Sequence, residues 1–238
     1  MEPLLKIDEI HTYYDLSHIL FGVNLKVYEG EVVFLLGRNG VGKTTTMRSI
    51  MGIPSPKSGR IIYDSKTISG LPTYKIARLG ITLVPEGRRI LAGLTVAENL
   101  EIAAQSDKRV ASKWPLERIY SFFPIIEKRR KQEASTLSGG EQQMLAIARG
   151  LMCNPRVLLV DEPFEGLDPI MAKAVSDILV ELKAESVTMI CVDDDTRSAS
   201  RIADRVYFMD QGKMMWDGPI HEAIKDDQAI AKKYLGVG

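Results

Sequence analysis

Gly37-Arg38-Asn39-Gly40-Val41-Gly42-Lys43-Thr44-Thr45 combines the residue types needed to hold a polyphosphate. The spacing is G-x-x-x-x-G-K-[ST], with Gly40 as an additional glycine. Glycines let successive backbone N–H groups turn inward as a concave anion nest. A helix starting just after them adds the partial positive charge of its N-terminus. The Lys43 ammonium can reach the outer phosphates, and the Thr44 hydroxyl can ligate Mg2+. A glycine-rich turn that merely precedes a helix is the competing reading. An apolar run before the loop and a helical pattern after it favour a nucleoside-triphosphate site.

Such a metal needs a second anchor. "VLLVDEP" supplies Asp161 and Glu162 where an apolar strand should end, the edge at which α/β sheets bind ligands. Asp161 is placed to hold Mg2+, through water. Glu162, one step on, can polarise an attacking water as general base. Acidic pairs also occur in solvated turns, so this reading leans on the phosphate loop upstream. A third stretch, "LSGGEQQ" (Leu137–Gln143), contains a capping box, Ser138 with Glu141. A cap alone does not need the adjacent Gly139 and Gly140, which weaken a first helical turn. They make sense if a phosphate approaches bare backbone at that helix tip. One phosphate loop already exists in the chain, so the second tip points to the nucleotide of another copy.

Positioning these groups requires strands and helices in alternation. "VVFLL" (32–36), "ITLV" (81–84), "VLLV" (157–160) and "VTMICV" (187–192) are short continuous apolar runs suited to parallel strands covered on both faces. Helical patterns lie at Thr45–Met51, Gly139–Met152 and Ile170–Glu185. The alternation predicts an α/β fold with a mainly parallel sheet. Val23, Leu25 and Val27 alternate with polar residues, which predicts a half-buried antiparallel strand, and "GRIIYD" (59–64) predicts another. Residues 86–153 break the alternation and predict a helical subdomain, with Ile119, Phe122, Phe123 and Ile126 as one apolar stripe. "VYFMDQGKMMWDG" predicts a hairpin turning at Asp210–Gly212, and His221–Tyr234 a helix.

The 238 residues carry 31 Lys plus Arg against 31 Asp plus Glu. That balance argues against a broad basic surface for nucleic acid. Lys128-Arg129-Arg130-Lys131 reads as a solvated helix end. Cys153 and Cys191 lie in apolar runs without metal-ligand spacing, as buried thiols of a reducing compartment do. No apolar stretch approaches the ~20 residues that cross a bilayer, and the N-terminus lacks a signal-peptide pattern. A cytosolic protein that meets a membrane only through a partner is expected.

The phosphate loop, LSGGEQQ and the acidic strand, in this order, resemble the ATP-binding-cassette ATPases, and the resemblance covers essentially the whole chain. It implies one cassette domain: a P-loop NTPase core with an N-terminal antiparallel β part (1–85 and 154–238) and the helical insertion (86–153). It implies ATP and Mg2+ as ligands, and two cassettes facing head to tail with two ATPs between them. Ser138 and Gly140 would then touch the terminal phosphate across the dimer. Tyr14 would stack on adenine, and Asp168 in "GLDP" would help couple the paired sites. "LVPEGRRI", "LTVAENL" and "SGGEQQMLAIARGLM" are phrased as in importer cassettes for branched-chain amino acids. That subgroup implies permease partners fed by an extracytoplasmic solute-binding protein, a homodimer or a heterodimer with a second cassette, and the segment 86–100 against the permease.

Two positions depart from the family. Glu86 stands where many cassettes carry a Gln that contacts Mg2+ and the lytic water; it remains an oxygen ligand. Asp194 stands where most carry a His that bonds the terminal phosphate. A carboxylate 4 Å from a phosphate costs roughly 4 kcal/mol at an effective dielectric of 20. Asp194 must therefore point away, take a proton, or act through a cation or water; alternatively Asp193, Asp194 and Asp195 all cap a strand end in solvent. The rival functions are a nucleotide-gated regulatory cassette with weak hydrolysis and a non-transport cassette acting on ribosomes or DNA. Phosphate release against a Lys43→Ala control separates the first. The second typically carries tandem cassettes or a long coiled-coil insertion, and neither is present in the sequence.

Overall fold

The computed structural model describes residues 2–104 and 112–224. Two sheets organise them. β1 (Leu5–Tyr14), β2 (Ser17–Val27), β4 (Ser58–Tyr63) and β5 (Lys66–Thr67) pair antiparallel in the order β2-β1-β4-β5. The larger sheet runs β10-β9-β3-β8-β7-β6, from β3 (Val32–Leu36), β6 (Ile81–Val84), β7 (Val157–Asp161), β8 (Thr188–Asp193), β9 (Arg205–Asp210) and β10 (Lys213–Pro219). Its pairings are parallel except β9–β10. The four apolar runs are β3, β6, β7 and β8, as expected.

The reason these strands are mostly apolar is visible in the core. Val32, Phe34, Leu158, Val160, Met189 and Cys191 face one hydrophobic cluster, and Val33, Leu35, Val157, Leu159, Ile190 and Val192 face another. The central strands β3, β7 and β8 form a middle layer buried on both faces. On the second side, α1 (Lys43–Ile50) buries Met47 and Ile50 in a cluster shared with β1, β2 and β4. On the first side lie α6 (Gly139–Met152), α7 (Pro169–Ala184) and α8 (Thr196–Ile202).

After α2 (Thr73–Arg78) and β6, the described residues hold α3 (Val96–Ala103), α4 (Leu116–Phe122), α5 (Pro124–Lys128) and α6 before the next strand. The expected single stripe is split here. Ile119, Phe123 and Ile126 are buried, but Pro124 starts a new helix at its N1 position and Phe123 leaves helical geometry (φ −125°, ψ 69°). Lys128–Lys131 is exposed, as expected of a helix end. The β9–β10 hairpin turns through Gln211 and Gly212, both at positive φ (44° and 75°). Of the expected C-terminal helix, α9 (Ile220–Ala223) is present, and residues 225–234 lie outside the described residues.

What matters for chemistry is the edge where β3, β8 and β7 end side by side. Leu36 is in register with Asp193, and Asp161 with Val192. The loop after Leu36, the pair Asp161–Glu162 and the Asp193–Asp195 run are thereby delivered to one rim.

Candidate functional site

The loop from Gly37 to Gly42 wraps the ammonium of Lys43. Lys43 Nζ donates to the carbonyls of Gly37 (2.8 Å) and Arg38 (3.1 Å) and to Asn39 Oδ1 (3.4 Å), and the residue is 3% exposed. Two glycines are sterically required. Gly42 caps α1 at φ 110°, a region closed to side-chain-bearing residues, and its carbonyl accepts from Thr46 N (2.9 Å) and Thr46 Oγ1 (3.0 Å). A β-carbon on Gly37 would collide with the carbonyl oxygen of Met209. The β9–β10 turn braces the loop, with Gly212 N donating to Val41 O at 2.9 Å.

A cleft of about 410 Å³ opens over this loop, lined by Asn39, Gly40, Gly42, Lys43, Thr44 and Thr45 with Ile19, Glu86, Glu162 and Glu165. At its base Thr44 Oγ1 donates to Asp161 Oδ1 at 3.1 Å. Asp161 is 1% exposed; burial pushes its carboxyl up to about 6, against the pull of the Thr44 hydroxyl. A hydroxyl and a buried carboxylate, with the Glu86 side chain on the cleft wall, form the all-oxygen donor set that suits a hard divalent cation such as Mg2+. Glu162 sits at φ 50°, its N–H bonded to Val192 O (3.1 Å), so its carboxylate lies 3.9 Å from Lys43 Nζ. Burial raises the Glu162 carboxyl while Lys43 opposes the rise. A carboxylate of raised pKa beside a phosphate site is suited to take a proton from water.

The chain does not bring every candidate together. Ser138, Gly139, Gly140 and Glu141 are absent from the cleft lining. They form the expected capping box at the start of α6: Ser138 Oγ accepts from Glu141 N (3.3 Å) and Glu141 Oε2 accepts from Ser138 N (2.9 Å). Tyr14, 39% exposed at the end of β1, is also outside the lining. Asp168 caps α7, its Oδ1 accepting from Ile170 N (3.0 Å) and Met171 N (3.1 Å).

The aspartate run corrects the picture of three solvated caps. Only Asp194 is exposed, and it is not among the cleft residues. Asp195 caps α8 and pairs with Arg197 (2.7 Å). Asp193 is buried; its Oδ1 accepts from Asp194 N (2.7 Å) and Asp195 N (3.2 Å), while Oδ2 has no partner among the described residues. Burial pushes Asp193 up to about 7. Two further lining residues, Ile19 and Glu165, were not singled out from sequence. Glu165 carried a signal, an acid three residues past Glu162; Ile19 is an ordinary strand residue and carried none.

A mostly parallel sheet with a lysine-bearing glycine loop and a metal-fitting carboxylate on its C-terminal edge defines a P-loop nucleoside triphosphatase. The family model described as ABC transporter matches residues 20–165. The chain is 37% identical to the high-affinity branched-chain amino acid transport ATP-binding protein BraG of Pseudomonas aeruginosa, over 98% of this chain and 100% of that protein. It is 32% identical to the lipopolysaccharide export system ATP-binding protein LptB of Haemophilus influenzae, over 98% of this chain and 97% of that one. A solved dimeric structure of the ATP-binding cassette MJ0796, bound to ADP and Pi in a post-hydrolysis state, superposes with TM-score 0.79 at 25% identity, covering 91% of this chain and 98% of that one. The chain belongs to the ABC transporter family; it is an ATP-binding, ATP-hydrolysing subunit of a transporter.

Proposed function

We propose that the chain energises import of a small solute, branched-chain or related amino acids, through MgATP hydrolysis between two cassettes. The observation that carries this reading is the separation of the phosphate loop from the Ser138–Gly140 tip. The tip contributes no residue to the cleft lining, although it is a capped helix start of the type that favours phosphate. Two copies, or this chain and a related cassette, complete each other's sites head to tail. The family's dimeric relative supports the arrangement, and the similarity to BraG supports the solute class.

In this scheme Lys43 trades its loop carbonyls for the outer phosphate oxygens of ATP, and Gly37–Thr45 supply backbone donors. Tyr14 stacks on adenine. Thr44, Asp161 and Glu86 would hold Mg2+, which would supply charge neutralisation at the phosphates when bound. Glu162 takes the proton of the attacking water. Ser138, Gly139, Gly140 and Glu141 form the opposite wall from the partner cassette. Contacts that exist only with ATP between the subunits provide the differential affinity that closure requires. Asp194, exposed beside the rim and outside the cleft lining, meets phosphate through water or a cation.

Closure moves permease subunits. Residues 86–153 act as the helical subdomain, with 86–100 toward the permease. A mostly apolar groove of about 970 Å³, with Tyr74, Leu79, Trp114 and Leu116 on its walls, offers such a partner a further dry surface. No described helix is long and apolar enough to cross a membrane. The chain is placed at the cytoplasmic face of the membrane by its permease, which receives solute from an extracytoplasmic binding protein. The similarity to LptB favours a second reading, in which the same ATPase drives export. Deleting the gene and measuring radiolabelled leucine uptake separates the two. Import predicts loss of uptake, restored by wild type and not by Lys43→Ala; unchanged uptake supports export.

A further inference from the structure

The guanidinium of Arg88 lies flat against Gly139. Its Nη1, Nη2 and Cζ stand 3.0, 3.0 and 3.1 Å from where a β-carbon on Gly139 would be. Nη2 is also 3.6 Å from the equivalent point on Gly166, in the loop that leads to α7. The side chain is delivered there by an unusual backbone. Arg88 and Arg89 both take positive φ (65° and 45°), held by Arg89 N donating to Gly87 O (2.7 Å) and Arg149 Nη1 donating to Arg89 O (2.8 Å).

What this guanidinium lacks is a counter-ion. Among the described residues Arg88 makes no ion pair and no hydrogen bond, although it is half-buried. The acid in the same turn, Glu141, is already engaged by Ser138 N and by Arg129 (3.3 Å). Asp168 is committed to capping α7. Arg88 therefore adds a positive charge to a helix end that is itself positive, an arrangement that repels unless an anion joins it. One turn along the same helix, Gln143 is 4% exposed and its Nε2 is buried without an acceptor among the described residues. A stacked guanidinium keeps its edge donors in plane, the geometry of an Arg–phosphate fork.

We propose that Arg88 is a phosphate-contacting residue supplied in trans: seated on Gly139, it binds the terminal phosphate of the ATP held by the Gly37–Thr45 loop of the opposing subunit. The proposal rests on the two-subunit reading above. It assigns ATP-over-ADP discrimination at closure to a residue outside the chain's own cleft, whose lining does not include Arg88.

The test is ATP-driven dimerisation of the Glu162→Gln chain, measured by sedimentation with saturating MgATP. Adding Arg88→Ala should weaken the dimer ~10- to 100-fold, the range for loss of a hydrogen bond to a charged group. Arg88→Lys should recover part of the loss, because it restores charge without the fork. Arg88→Met, which keeps the stem over Gly139, should recover none. Dimerisation of the Arg88→Ala double variant as tight as that of Glu162→Gln overturns the proposal, and so does full recovery by Arg88→Met. A Glu162→Gln chain that stays monomeric with ATP contradicts instead the pairing of two copies of this chain, the form of that reading on which the proposal rests.

Discussion

The Thr44 hydroxyl and the Asp161 carboxylate meet at 3.1 Å although 117 positions separate them in the chain. One comes from the first turn of α1, the other from the last residue of β7, and the sheet register makes them neighbours. Chelation of divalent metal should therefore abolish phosphate release. Asp161→Asn, which keeps the shape and removes the charge, should raise the Mg2+ concentration needed for half-maximal hydrolysis at least ~10-fold. A titration of rate against Mg2+ checks this; an unchanged midpoint removes Asp161 from the metal site.

Gly37 offers a steric test of the loop. A methyl group there meets the backbone of β9 at Met209, which a neighbouring rotamer change cannot relieve. Gly37→Ala should lower unfolding free energy by about 1–3 kcal/mol and weaken ATP binding measured by calorimetry. Wild-type affinity in this variant would show that the loop tolerates displacement.

Asp193 predicts a pH dependence with a definite sign. Burial raises its carboxyl from 3.8 to about 7, so the folded chain favours the neutral form. The associated stability is complete below about 3.8 and is lost as pH rises through about 7. Asp193→Asn keeps an acceptor for the Asp194 and Asp195 amides and cannot ionise. Its melting temperature relative to wild type should rise between pH 5 and pH 8. A difference that does not vary with pH contradicts the assignment.

Asn99 is fully buried and clamps the segment before α3. Its Oδ1 accepts from Leu91 N (2.9 Å), and its Nδ2 donates to the carbonyls of Leu91 (3.0 Å) and Thr95 (3.0 Å). Asn99→Ala strands those backbone groups and should cost about 2–3 kcal/mol in urea denaturation. A loss under ~0.5 kcal/mol would mean that water replaces the clamp.

Much of this was legible before any coordinates, for identifiable reasons. Gly37–Thr45 stands between an unbroken apolar strand and a helix, and each local signal agrees with the next. β1 was not legible. Leu5, Ile7, Ile10 and Thr12 are its buried residues, and an irregularity around Glu9 (φ 51°) shifts the pairing between Ile7 and Ile10, which destroys the two-residue period. Asp193 looked like part of a solvated acidic run because β8 continues one residue past its last apolar side chain. Arg88 lies against Gly139, far away in sequence, and Asn99 bonds backbone groups of Leu91 and Thr95; a contact of either kind leaves no periodic pattern in the residue types.

Glu162, one residue past β7 and 3.9 Å from Lys43, is placed to be the base that turns bound ATP into ADP and phosphate. Steady-state phosphate release from MgATP by wild-type and Glu162→Gln chains, compared at saturating nucleotide, tests it most directly. Removing a general base costs ~100-fold or more, so the rate of the variant should fall by at least that much. Equal rates from the two proteins would contradict it.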